Sequence, residues 1–335
     1  MRSDRTPEAV VAALVRADLL DASRSSDAER VVSTVLTPAG VPAPPLRRRI
    51  SEIAGYAGAA FVVGAAGLFF ASEWGSLSQG EQGGILAGIA ALLAAAAVVL
   101  VVTGGGARRL TEPAQQVRRR LGSVLLTGAA GAAGFAAAVL VDDPAGYTDD
   151  SLVVLLGAVV ALAVALVGYR LAPSVVGQLG AAVAAFTAIP SGLDVLGASE
   201  GLAIGTLVLL LGVVWLLLAE RRVWREDEAG RVIGVTLAVV GAQLPLFDDH
   251  AWVAYLATAA VGAAAFGMYV VRPAWPYLAA GVVALTLAVP EALSDWTDGS
   301  LGSAGVLLVT GVTLLVAALI GLRLRHEVAE PGQHA

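Results

Sequence analysis

The chain of 335 residues contains no cysteine and no lysine, only three histidines, and few charges of any kind. Without cysteine there are no disulfides, no thiolate metal sites and no cysteine nucleophile. The one histidine outside the C-terminal tail is His250, and no G-x-S-x-G turn is present, which argues against a serine hydrolase. Only 14% of residues are charged while 57% are hydrophobic. A soluble domain carries roughly 25% charged residues. All 21 basic residues are arginine and Ala, Gly and Val dominate, a bias that points to a GC-rich bacterial genome. The charged start, Met1 to Pro7, precedes only a short apolar patch and does not read as a cleavable signal.

What is abundant is long uncharged runs of about 20 residues, the length a helix needs to cross a bilayer. Ten are predicted, at 53–71, 84–102, 121–141, 151–171, 174–190, 201–219, 232–247, 251–271, 275–290 and 301–322. The fifth, seventh and ninth are the shortest, and Pro173, Pro190, Pro245, Pro276 and Pro290 sit in or beside them. The fold class is therefore all-α: a polytopic membrane protein with about ten transmembrane helices over 47–325. A short N-terminal helical hairpin with its linker occupies 1–46, and a tail occupies 326–335.

Cytoplasmic flanks collect arginine, and here the bias is complete. Arg47 to Arg49, Arg108, Arg109, Arg118 to Arg120, Arg170, Arg221, Arg222, Arg225, Arg231, Arg272, Arg323 and Arg325 fall on one side, with the N-terminal arginines. The alternate loops hold Glu73, Glu81, Asp142, Asp143, Asp149, Asp150, Asp194, Glu200, Asp248, Asp249, Glu291, Asp295 and Asp298 and no basic residue. The net charge of -6 thus hides a polarised molecule. Trp74, Trp252 and Trp296 at outer edges, and Trp224, Trp275, Tyr169, Tyr269 and Tyr277 at inner ones, agree with the same spans. The expected location is a bacterial inner membrane with both termini cytoplasmic. The arginine clusters Arg47 to Arg49 and Arg118 to Arg120 would also attract anionic headgroups; they are too short and too close to the membrane to suggest nucleic acid.

Thr6-Pro7-Glu8 and Ser26-Asp-Ala-Glu29 are helix starts, and the Pro-rich stretch 37–45 ends the segment. Helices this short need a packing partner. Val11, Val15 and Leu19, with Val31, Val35 and Leu36, are the expected contact surface for a cytoplasmic protein.

No ionisable residue falls in the middle of a predicted span, which disfavours proton coupling through a buried carboxylate. The most polar groups at depth are Gln178 and Gln243. They read either as interhelical hydrogen-bonding groups or as contacts to a solute. Gly84 and Gly88, Gly201 and Gly205, Gly230 and Gly234, and Gly128, Gly131 and Gly134 have the spacing of close helix packing. Asp248, Asp249 and His250 are the nearest thing to metal ligands, but acids accumulating where arginine is excluded is the favoured explanation and no metal motif accompanies them. No catalytic set and no cofactor motif is evident.

The run from Ile53 to Trp74, with Ala71-Ser-Glu-Trp74 closing a Gly-rich helix before a second apolar helix, resembles bacterial membrane proteins grouped as domain of unknown function twenty-one fifty-seven. The likeness covers roughly residues 8–102 and implies a short helical segment ahead of a membrane hairpin, with no activity attached. The leading expectation is a non-enzymatic scaffold or regulator. The alternatives are a transporter or channel for a small neutral solute or lipid, built on Pro-interrupted helices and the two glutamines, and an enzyme at the acidic outer face.

Overall fold

The computed structural model describes residues 7–17, 20–36, 72, 74–107, 109, 112, 115–143, 148–247, 251–297, 300 and 302–329. The chain divides into two compact units, Met1–Ser76 and Leu77–Ala335.

In the first unit α1 (Pro7–Arg16) packs on α2 (Ser25–Leu36). Between them the Asp21 carboxylate accepts hydrogen bonds from the Ser23 amide and hydroxyl, each 2.8 Å long, which hold its pKa below the usual carboxylate value. Val11 is buried at 5% exposure, Val15 and Val32 are half-buried, and Val31 faces outward at 63%. The expected contact surface is therefore divided, because two short amphipathic helices first satisfy each other. Leu19 and the side chains of Val35 and Leu36 lie outside the described residues.

The second unit is a run of long helices: α3 (Gln79–Thr103), α4 (Gln116–Val141), α5 (Asp150–Leu171), α6 (Val175–Val195), α7 (Gly201–Glu220), α8 (Asp227–Gln243), α9 (Ala251–Val271), α10 (Trp275–Trp296) and α11 (Gly302–Ala329). There is no strand among the described residues. Eight helices, α3 to α10, are long and apolar enough to cross a membrane, α8 being extended by a 3-10 turn at Leu244–Phe247. The protein is an all-α polytopic membrane fold. Of the ten expected spans, 53–71 lies outside the described residues, and the last corresponds to α11 with a described apolar stretch at Gly305–Val316.

Helix ends differ from expectation for local reasons. α3 starts earlier because Ser78 and Glu81 form a capping box, the Ser78 amide donating to the Glu81 carboxylate at 2.8 Å. α4 starts at Gln116 and takes Arg118 to Arg120 into its first turns. Pro190 and Pro290 do not end their helices: α6 runs on to Val195 and α10 to Trp296, for 21 and 22 residues. Packed neighbours tolerate the missing amide in such helices. Asp194, Glu291 and Asp295 therefore sit on helical turns and not in loops.

Burial runs opposite to that of a soluble bundle. The side chains with least exposure are mostly alanine, including Ala97, Ala172, Ala181, Ala219, Ala242, Ala254 and Ala284, while Leu92, Phe135, Val167, Leu256, Val271 and Leu307 are more than half exposed. An apolar solvent leaves large side chains no reason to hide, so small residues take the interior and bring backbones together. The closest seams are at glycines. A methyl on Gly134 would meet the Gly157 carbonyl at 2.7 Å, joining α4 to α5, and one on Gly212 would meet the Ala238 amide nitrogen at 2.5 Å, joining α7 to α8. Gly205 and Gly241 face each other further along that second seam. By contrast Gly84, Gly88 and Gly131 have nothing within 4 Å, and Gly83 supplies the contact from α3 instead, against Leu140.

Two hairpins share a register. α5–α6 carries Tyr169, Pro173 and Pro190, and α9–α10 carries Tyr269, Pro273 and Pro290 at the same spacings. Each tyrosine lies in the last turn of its first helix, each first proline in the connection, and each second proline inside the returning helix.

Candidate functional site

Successive helices alternate in direction, so the arginine-bearing connections gather at one end of α4–α10 and the acidic ones at the other. Both ends are polar, and they are built differently.

At the arginine-bearing end the connection from α7 to α8 is folded inward. α7 closes with Arg222 at a φ of 55°, and the Val223 amide reaches back to the Leu218 carbonyl at 2.9 Å. That left-handed residue is usually glycine, and here it aims Trp224 into the bundle. Trp224 stacks on Trp215 with ring centroids 4.7 Å apart and meets Tyr169 edge-on at 5.0 Å. The Tyr169 hydroxyl accepts from the Arg225 amide at 2.7 Å, and the fully buried Gln178 donates to Tyr169 at 3.2 Å and to the Glu226 carbonyl at 3.1 Å. Glycine at position 230 leaves room for this group, since a methyl there would lie 3.0 Å from Trp224 and 3.4 Å from Gln178 Oε1.

Charges complete the closure. Glu226 pairs with Arg119 at 3.5 Å, with both side chains about four-fifths buried. Glu220 accepts from Arg231 at 2.7 Å and from the Tyr277 hydroxyl at 2.6 Å, and pairs with Arg272. Arg231 also reaches Asp227 at 3.0 Å. One carboxylate thus ties α7, α8 and α10 to the turn before α10. Ser123 on α4 and Ser174 at the start of α6 are hydrogen-bonded to each other and nearly fully buried.

At the acid-bearing end the structure opens. A cavity of about 470 Å³ is lined by Leu246, Tyr255, Pro290, Glu291, Ser294, Asp295 and Val306, which come from the 3-10 turn, α9, α10 and α11. Beneath it Gln243 donates to Glu291 Oε2 at 3.0 Å and to the fully buried Thr258 hydroxyl at 3.2 Å. No described arginine pairs with Glu291 or Asp295. A second recess of similar volume, between α4, α5 and α6, is lined by Gly, Ala, Val, Leu, Phe135 and two threonines and offers no charged group.

Gln178 and Gln243, expected together at depth, are apart. Gln178 sits against the first turn of α8 and Gln243 closes its last, about 20 Å away at 1.5 Å per residue. The glycine seam between α7 and α8 lies between them. Asp248, Asp249 and His250 lie outside the described residues, and among those described no group of three or more His, Cys, Asp or Glu is placed to hold a metal. Of the arginines expected to face lipid headgroups, Arg118 and Arg120 are exposed, Arg119 is turned inward to Glu226, and Arg47 to Arg49 lie outside the described residues. Tyr255, Glu291, Ser294 and Asp295 were not anticipated as a group. Their signal was the carboxylate pair at helical spacing after Pro290, which the expected span 275–290 left in a loop.

No family model matches the chain, and neither a curated protein nor a solved structure does.

Proposed function

We propose that the chain is a bacterial inner-membrane protein with both termini in the cytoplasm, acting as a non-enzymatic scaffold or regulator that engages a cytoplasmic partner through its N-terminal helices. The observation that carries this reading is the cross-tied arginine-bearing end, where Glu220, Glu226 and Gln178 bind α4, α5, α6, α7, α8 and α10 into one platform. Such a platform suits holding and presenting better than moving. Arg118 and Arg120 would rest on anionic headgroups, and Val31 on α2 offers an apolar contact. The resemblance to the family grouped as domain of unknown function twenty-one fifty-seven would fit this role, although its motif falls largely outside the described residues.

Deleting residues 1–45 tests the reading. The shortened chain is expected to insert normally and to lose the proteins that crosslink to the full chain in cells; retention of every crosslinked protein contradicts it. Orientation is tested in the natural cysteine-free background. Ala198→Cys is expected to react with an impermeant maleimide in intact cells and Val223→Cys only after lysis, and the reverse pattern contradicts the assignment.

A second reading, a transporter or a surface enzyme, draws on the cavity at the acid-bearing end. The separation of Gln178 from Gln243 and the continuity of α6 and α10 weigh against transport. Retention of all cellular phenotypes by the truncated chain, together with their loss in a cavity variant, would favour this second reading.

A further inference from the structure

The tied end is not fully satisfied inside. Gln178, with no exposed surface, directs its amide hydrogens to Tyr169 and to the Glu226 carbonyl, while its Oε1 has no donor among the described residues. The indole nitrogen of Trp224, at 5% exposure, has no acceptor among them. The indole nitrogen of Trp215, whose ring stacks on Trp224, is unpaired as well, as are Arg119 Nε and Glu226 Oε2 of the adjoining ion pair. Buried polar atoms of native proteins are paired in about nine cases of ten, so this many orphans around one turn mark a site.

Two of these side chains border the same point. A methyl on Gly230 would lie 3.4 Å from Gln178 Oε1 and 3.0 Å from Trp224 Cδ1, the ring atom bonded to the indole nitrogen, with Ala219 Cβ 3.0 Å away on a third side. With no side chain at 230, this corner is left to a small occupant. The pair selects its chemistry, because Gln178 Oε1 needs a donor and Trp224 Nε1 needs an acceptor. A metal ion or an ammonium group would serve the amide oxygen and oppose the indole N–H, and an anion would do the reverse. Water serves both, needs only about 10–15 Å³, and ordinarily has two to four polar partners. From this arrangement we infer that a bound water molecule links Gln178 Oε1 to Trp224 Nε1 beside Gly230, joining α6 to the inward-folded turn between α7 and α8. Such a bridge is nearly as favourable as a direct hydrogen bond, and it lets Trp224 fill the bundle with its indole satisfied.

The inference holds whether or not residues 1–45 recruit a partner. It is tested on the full chain in lipid bilayers, with isotope-labelled tryptophan, by solid-state NMR that follows the transfer of magnetisation from water to each indole N–H. Trp224→Phe identifies the Trp224 resonance. That resonance is expected to build up within about threefold of the rate at Trp296, which is 74% exposed, because a bound water lies in direct contact with it. Gly230→Ala sets a methyl against both side chains and is expected to slow the Trp224 build-up at least about fivefold, with Trp296 unchanged. Gln178→Leu removes the other partner of the water, keeps the glycine, and is expected to slow it at least about threefold. Absence of transfer from water to Trp224 in the natural chain overturns the proposal. So does undiminished transfer in either folded variant.

Discussion

In hairpin α5–α6 the buried polar side chains, Ser174 and Gln178, follow the turn at the arginine-bearing end, and the positions toward the other end are Leu155, Ser191 and Val195. In α9–α10, at the same spacings from the shared Tyr and Pro residues, the acid-bearing end holds Tyr255, Glu291 and Asp295. The turns and prolines are common while the chemistry differs. Inside a membrane, small residues and helix turns fix the backbone. Polar groups at the ends, where water is within reach, can then vary without disturbing it. One hairpin has used that freedom to close an end and the other to open one.

The largest test of this division lies in the shared framework. Gly241→Leu would force a side chain into the Leu209 backbone across the α7–α8 seam, and should cost about 3 kcal/mol or abolish folding. Gly88→Leu, with nothing within 4 Å, should change stability by less than about 0.5 kcal/mol. Unfolding in graded denaturing detergent, followed by tryptophan fluorescence, measures both. Next comes the contrast between ends. Glu220→Ala leaves the buried Tyr277 hydroxyl without its acceptor and Arg231 with Asp227 alone, and should cost about 2 kcal/mol, whereas Glu291→Ala, losing one bond at a cavity edge, should cost about 1 kcal/mol. Equal losses would remove the distinction between a tied end and an open one.

The glutamines sharpen it further. Gln178→Leu should cost about 1 kcal/mol for its two bonds, and Gln243→Leu about 0.6 kcal/mol. One further effect has the opposite sign. Arg222→Gly relieves a left-handed backbone at the position that Gly197, with a φ of 68°, fills after α6, and should raise the transition by up to about 1 kcal/mol.

Much of the framework was legible in residue order. Uncharged runs located the helices of the second unit, and the separation of arginine from acid at alternate ends recurs in which side chains meet. Glycine spacing pointed to Gly134, Gly205 and Gly234, but it could not reveal that Gly84 and Gly88 face outward or that Gly157, Gly212 and Gly241 complete the seams. That depends on helix rotation, to which spacing within one helix is blind. The expected spans ended at Pro190 and Pro290, yet α6 and α10 run on past both because packed neighbours tolerate the missing amide. The ion-paired end was missed for another reason: Glu220, Arg231 and Arg272 each looked able to reach water alone, and only folding brings them together. The cavity is likewise a product of the way α9, α10 and α11 meet.

The most direct test of a tied arginine-bearing end and an open acid-bearing end uses single cysteines in the cysteine-free chain, reconstituted in nanodiscs. Ser294→Cys, in the cavity, should react with a bulky water-soluble maleimide within about tenfold of the rate at the surface position Ala198→Cys. Ser123→Cys, 1% exposed at the other end, should not react until the protein is unfolded. Rapid labelling of Ser123→Cys in the folded protein, or protection of Ser294→Cys, would contradict the account.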